Sequence, residues 1–174
     1  MPKIIENAKE RILEVTKKEL ETNNFDELSI RKIAKLSNIG VGTIYNYYPD
    51  KITLVASLMA TEWSSSVSLL YKDLVNAESL YKGMEEIYSV IFTFWNKNRF
   101  FLESVQVKDF SKYKKRGHTL IMEQIKQLIK INYENFKTPL NDVELTILSH
   151  LLLDCALDDT FEFDDLITII KNYK

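Results

Sequence analysis

"LSIRKIAKLSNIGVGTIYNYYPDK", Leu28 to Lys51, holds two of the chain's four glycines and three tyrosines within four positions. A segment that only faced a core would not need that combination. Ser29 is placed to cap a short helix over Ile30 to Leu36, because its hydroxyl can accept a bond from an orphan backbone N–H. Ile30, Ile33 and Ala34 form the inner face of that helix, and Arg31, Lys32 and Lys35 lie elsewhere on it. "SNIG" follows as a tight turn in which Asn38 tolerates positive φ. Gly40 or Val41 opens a second short helix reaching Tyr48, and Pro49 halts it by pushing the preceding residue out of the α region. Asp50 then caps a helix that starts at Lys51.

Outward from this stretch the chain reads as all-α, with about nine helices expected. Four glycines and three prolines in 174 residues leave too little turn chemistry for an all-β fold. Apolar residues make up 45%, enough for a sizeable core. Upstream, Ile4, Ile5, Ala8, Ile12, Val15 and Leu20 recur at helical spacing from Lys3 to Thr22. "TNNFDELS" ends that helix, with Asn23 or Asn24 available for a left-handed cap, and Phe25 and Leu28 join Ile12 and Val15 in a small core. Downstream, a helix from Lys51 to about Val75 turns Val55, Leu58, Met59, Trp63, Val67, Leu70 and Leu74 inward. A further helix covers about Ser79 to Lys97, "NKNRF" breaks it, and the basic "KYKKRGH" (Lys112 to His118) reads as a solvated loop or, less often for such a run, a site for an acidic effector. From Gly117 to about Phe136, Ile121, Met122, Ile125, Leu128, Ile129 and Tyr133 form one apolar stripe. Helices over about Asn141 to Leu157 and from near Phe163 complete the chain.

Composition excludes several function classes. No apolar run is long enough to span a membrane, and "MPKIIENAKE" is unlike a signal peptide. The single cysteine, Cys155, forms no intramolecular disulfide and reads as a buried thiol, so a cytoplasmic protein is expected. His118 and His150 lack partners at metal-ligand spacing, so neither a metal nor another cofactor is expected. No nucleophile elbow, phosphate loop or Cys/His pairing points to an enzyme. The carboxylates Asp158, Asp159, Asp164 and Asp165 read as loop and cap residues. Residues 1–51 carry nine Lys and Arg against eight Asp and Glu. Any contact with phosphate therefore depends on where cations sit, not on their sum.

Helix, short helix, tight turn, short helix is a helix-turn-helix order, with the motif at about 29–48. A recognition helix lies in the major groove with its N-terminal end toward base edges, and bulky residues there would hold it off. Gly40 and Gly42 remove side chains at that end, so backbone N–H groups can approach a phosphate. Gly42 lies inside the expected helix, where glycine costs about 1 kcal/mol against alanine; close backbone approach explains its presence. Thr43 offers a hydroxyl and a methyl, Val41 suits thymine methyls, and Asn46 can pair bidentately with adenine. Tyr45, Asn46 and Tyr47 can donate to phosphates, Lys51 supplies a cation, and Ser29 and Arg31 are placed for phosphate contact at the start of the preceding helix. Tyr48 is assigned to the core.

The run "IAKLSNIGVGTIYNYYPDKITL" resembles the DNA-binding signature of the TetR family of transcriptional regulators. Ile33, Ala34, Gly42, Thr43, Tyr45, Tyr47, Lys51 and Leu54 match its pattern, and Ile39, Ile44 and Tyr48 are conservative replacements. Ser37 stands for a small alanine and Asn38 for a glycine. Gly40 replaces the serine that commonly caps the recognition helix and touches phosphate. The resemblance covers about residues 3–60. It implies a DNA-binding domain over 1–50 and a helical effector-binding and dimerisation domain over 51–174.

It also implies a homodimer on a pseudo-palindromic operator in double-stranded DNA, and a repressor released by a small-molecule effector. An aromatic stripe at helical spacing is more often core than pocket. The residues that would line an effector pocket are Trp63, Tyr88, Phe92, Trp95, Phe101, Phe110, Tyr113, His118 and Met122. Their few polar groups suit a small apolar or aromatic ligand. Leu148, Leu151, Leu152 and Ala156 are the candidates for the dimer interface. The alternative is a ligand- or protein-binding module of the same fold without operator binding, prompted by Gly40, Val41 and the small N-terminal charge.

Overall fold

Ala8, Ile12 and Thr16 recur at every fourth position and are all buried, which is the inner stripe of α1, Ala8–Thr22. The structure, a computed structural model, describes the backbone of residues 7–104, 110–158 and 162–172 and the side chains of 7–99, 117–158 and 162–171. A 3₁₀ turn, Phe25–Glu27, follows α1. Then come α2 (Ile30–Ser37), α3 (Val41–Tyr47), α4 (Lys51–Leu74), α5 (Leu80–Ser104), α6 (Phe110–Asn135), α7 (Asp142–Leu157) and α8 (Phe163–Asn172). The described residues thus form eight α-helices and no strand, so the expected all-α class holds.

The chain divides into two units, Met1–Glu62 and Trp63–Lys174. The expected division at 50/51 thus lies short of this boundary, because the first turns of α4 are tied to the N-terminal unit. Lys51 reaches the Phe25 carbonyl, and Lys17 pairs with Glu62 at 3.1 Å.

In the first unit, Ile12, Ile33, Ile44 and Leu54 have no exposed surface and Leu28, Ile39 and Tyr48 are nearly buried. Asn23 and Asn24 are extended, with φ of −134° and −73°, and not left-handed as expected. The Asn23 amide donates to the Glu19 carbonyl at 3.1 Å, so a side chain closes α1 where a left-handed residue would otherwise do so. Ser29 does occupy the N-cap position of α2, but its hydroxyl makes no capping bond.

The α2–α3 turn behaves as its residues demand. Asn38 is left-handed at φ 52°; its N–H donates to the Lys35 carbonyl at 3.3 Å, and that of Ile39 to the Ala34 carbonyl at 3.0 Å. This is a Schellman closure with asparagine in the place glycine usually takes. Arg11 donates to the Ser37 carbonyl at 2.6 Å, adding a cation at the negative end of α2. Tyr48 leaves the helical region before Pro49, and the Asp50 carboxylate accepts from the Thr53 N–H at 2.7 Å to cap α4.

The second unit packs the rest of α4 with α5 to α8. Trp63, Leu74, Met84, Ile87, Ile125, Leu128, Ile129 and Leu152 are almost wholly enclosed. Two expected breaks are absent. The α5 backbone runs through "NKNRF", where Asn98 turns its amide back onto the Phe94 carbonyl at 2.8 Å. Residues 112–118 belong to α6, which begins at Phe110, so the expected loop there is helical; Gly117 sits within that helix. At α7, Asn141 and Glu144 form a reciprocal capping box, the Asn141 side chain accepting from the Val143 and Glu144 N–H groups.

The α5–α6 crossing depends on Gly83. A Cβ there would overlap the side-chain amide of Asn132, which is wholly buried. The Asn132 Nδ2 donates to the Leu80 carbonyl at 3.0 Å, while its Oδ1 has no hydrogen-bond partner. That oxygen occupies the place of the missing methyl, so the Gly83 Cα–H points at it, a weak contact common between close helices.

Candidate nucleic-acid interface

The seven residues of α3 divide cleanly between core and surface. Ile44 is the inward anchor with 0% exposure, and Tyr48, just past the helix, is 5% exposed. Burial, then the Glu10 carboxylate, pushes the Tyr48 phenol above its ordinary pKa, so it stays neutral. Val41, Gly42, Tyr45 and Asn46 are all exposed and share the opposite face, Val41 at 37% and Tyr45 at 48%. Thr43 is half-buried at the flank.

The glycines differ in what they do. Gly40 is the N-cap at φ −59°, a conformation open to any residue, and an added Cβ would meet only the Thr43 hydroxyl at 3.6 Å. An added Cβ on Gly42 would meet nothing within 4 Å. No contact within the described residues requires glycine at this second position of α3.

Ser29 and Arg31 are exposed at the start of α2, and Tyr47 is 37% exposed at the end of α3. Lys51 is half-buried and engaged within the chain. Its Nζ donates to the Phe25 carbonyl at 3.1 Å and the Asp26 carbonyl at 3.4 Å, and lies 4.3 Å from the Phe25 ring centroid. It staples the start of α4 to the 3₁₀ turn. Lys51→Met is therefore expected to lower stability by about 1–2 kcal/mol, from the charged hydrogen bonds and the cation–π contact. It should leave the salt dependence of DNA binding unchanged. Urea titration and a salt series measure the two effects, and a shallower salt slope would instead make Lys51 a phosphate contact.

Most other cations of this unit already have partners. Lys32 pairs with Glu19 at 2.6 Å and Lys18 with Glu14 at 2.8 Å. Arg31 and Lys35 are exposed and make no ion pair among the described residues. A third cation was not legible in the sequence: the Lys9 ammonium, from α1, lies 5.7 Å from the Tyr47 ring centroid. No local pattern joins positions 9 and 47; only the tertiary packing does. Among the described residues of this unit, Arg31, Lys35 and Lys9 are exposed cations without an ion pair.

Of the expected pocket residues, Trp63 lies in the core of the second unit and Tyr88 and Met122 pack against that core. Trp63 is buried, donates from Nε1 to Gln124 Oε1 at 2.6 Å, and meets Phe94 edge-on at 5.1 Å. Tyr88 stacks on Phe92 at 5.7 Å and touches Phe163 at 5.0 Å. Trp95 and Met122 are half-buried and His118 is exposed. Phe101, Phe110 and Tyr113 lie outside the described side chains. An open groove of about 230 Å³ along α6 and the start of α7 is lined by Glu123, Lys126, Lys130, Leu140 and Asp142 among others, and by none of the expected set.

Of the interface candidates, Leu152 and Ala156 are enclosed in the core of the second unit, and Leu148 and Leu151 are half-buried against it. The exposed apolar side chains of α7 are instead Val143 and Ile147. Among the described residues no three His, Cys, Asp or Glu side chains are grouped to hold a metal. No described helix is long and apolar enough to cross a membrane.

Comparison with known proteins agrees with this geometry. The family model for bacterial regulatory proteins, tetR family, matches residues 12–58. An uncharacterized HTH-type transcriptional regulator of Haemophilus influenzae is 25% identical over 97 residues, 56% of this chain and 52% of that protein. The HTH-type transcriptional repressor KstR of Rhodococcus jostii is 31% identical over 55 residues, 32% of this chain and 26% of that protein. The matched part thus spans about half of one curated relative's length and a quarter of the other's. In fold, the chain is similar to a TetR transcriptional regulator of Legionella pneumophila, with 20% identity, 98% of each chain covered and a TM-score of 0.54. The matched segment is the one that carries the buried Ile12, Ile33, Ile44 and Leu54 and the bare face of α3, and over it the chain is similar to bacterial regulatory proteins of the tetR family.

Proposed function

We propose that the chain is a homodimeric transcriptional regulator that places α3 of each subunit in successive major grooves of an operator. Val41, Gly42, Tyr45 and Asn46 face the bases, and Thr43 and the N–H groups beside Gly40 approach the backbone. Tyr47, Ser29, Arg31, Lys35 and Lys9 contact phosphates. The observation that carries this reading is Gly42: a glycine in the first turn of α3 on its exposed face, with open space where its side chain would be.

Two copies follow from the geometry of groove reading, since half-sites lie about 34–36 Å apart on one face of the duplex. The exposed Val143 and Ile147 of α7, continuing to Leu148 and Leu151, offer an apolar face for a two-fold contact. The second unit takes a small apolar or aromatic effector among its aromatic side chains and releases the operator. The coupling runs along α4, the helix with residues in both units, and needs only about 1–3 kcal/mol. The protein acts in the cytoplasm, as a repressor, and is assigned no catalytic role.

Purified chain incubated with fragmented genomic DNA of its host should retain a few fragments that share an inverted repeat. The three cationic phosphate contacts per subunit (Arg31, Lys35 and Lys9), six per dimer, predict a salt slope of about −5, or roughly a thousandfold loss of affinity between 50 and 200 mM salt. Retention without any shared sequence would favour a helical binding module that has left operators behind.

A further inference from the structure

The reading face of α3 contains no group that recognises a G·C pair well. Between Ile39 and Pro49 the chain carries no ionisable acid or base other than tyrosine. The side chains exposed on that face are an isopropyl group, a phenol and a primary amide: Val41, Tyr45 and Asn46, around the bare Gly42. The cations of the unit are elsewhere. Arg31 and Lys35 are on α2, the helix that crosses the backbone in this motif, and Lys9 stands over Tyr47.

Base-edge chemistry then discriminates. In the major groove guanine offers two acceptors, N7 and O6, that suit the fork of arginine or the ammonium of lysine, and cytosine offers an amino donor that suits a carboxylate. Neither partner is present on the face. Adenine offers one acceptor and one donor, N7 and N6, which a primary amide matches bidentately, and thymine offers a methyl group. The Asn46 amide has no hydrogen-bond partner among the described residues, and Val41 is an exposed apolar group at the end of the helix that enters the groove. Pressed on a G·C pair, Val41 would strip water from polar edges and return no bond. Gly42, with no atom near its missing Cβ, lets Val41 and the helix backbone come close enough for a methyl-to-methyl contact.

Resting on the operator-binding reading, we infer that each α3 selects A·T pairs: Val41 packs on a thymine methyl, Asn46 pairs with N6 and N7 of an adenine, and G·C pairs are excluded from the positions facing this helix.

The test is selection of duplexes from a random library by the purified full-length chain, followed by base analogues in the enriched operator. The constrained positions of each half-site should be A·T. Replacing the contacted thymine by uracil should weaken native binding about fourfold per half-site, the worth of one buried methyl, and have no effect on Val41→Ala. Replacing the contacted adenine by 7-deazaadenine should weaken native binding about tenfold and leave Asn46→Ala unmoved. Both variants alter exposed side chains, and circular dichroism confirms that they fold. Half-sites fixed by G·C pairs, or a uracil operator bound as tightly as the thymine one, would overturn the A·T assignment while leaving operator binding in place. A library with no sequence enriched would remove both.

Discussion

Gly42→Leu is expected to leave the fold as stable as before or up to about 1 kcal/mol more stable, and to weaken operator binding by about two orders of magnitude. The first half follows from helix propensity. Gly42 is the second residue of α3, and leucine is favoured over glycine by nearly 1 kcal/mol in a helix interior and by less in the first turn. Nothing within 4 Å of the missing Cβ opposes it. The second half follows from the same emptiness. A leucine there projects from the face that carries Val41, Tyr45 and Asn46 and holds α3 off the groove floor. Overpacking a close interface costs about 1–3 kcal/mol, and the lost base contacts add to it, which together make about a hundredfold in affinity. Thermal unfolding and gel shift on one preparation separate the effects. A variant that binds like the native chain would mean that the groove is not what Gly42 accommodates. One that unfolds early would mean that the glycine serves the fold.

Local chemistry made the first unit readable. Asn38 could be placed in the left-handed region, and Asp50 at a cap, because each acts on backbone groups within three or four residues of itself. The apolar stripes of α1, α2, α4 and α6 likewise repeat at helical spacing. What escaped was of two kinds. Polar clusters such as "NKNRF" carry turn-like composition, yet a long helix packed along an apolar stripe tolerates them, because tertiary burial outweighs propensity. Partners distant in sequence leave no local mark: Lys9 against Tyr47, or Lys51 on the Phe25 carbonyl 26 residues away. Lys51 shows the consequence, since the same lysine reads as a phosphate contact in sequence and as an internal staple in structure. Trp63 is turned inward as its spacing on α4 implies, at 2% exposure, but the Gln124 side chain that satisfies its indole N–H lies 61 residues away and left no local mark.

The largest stability change is expected from the opposite sort of glycine. Gly83→Ala should lower stability by about 3 kcal/mol, and the melting temperature by roughly 10 °C at fixed protein concentration. Propensity alone would make alanine better by about 1 kcal/mol. The methyl, however, falls where the Asn132 amide lies: its Oδ1, Cγ and Nδ2 would all be overlapped. Asn132 is wholly buried and cannot swing to solvent, so either α5 and α6 separate or the amide abandons its bond to the Leu80 carbonyl. A buried amide stripped of its partner costs about 1–3 kcal/mol, and separating two packed helices costs a similar amount. The double variant Gly83→Ala, Asn132→Ala removes the obstacle together with an oxygen that has no partner in the native fold. It should regain most of the loss, leaving a coupling energy of about 2 kcal/mol or more between the two positions. If the two substitutions simply add, the helices have room that this geometry denies them, and the close α5–α6 crossing is not what glycine provides at position 83.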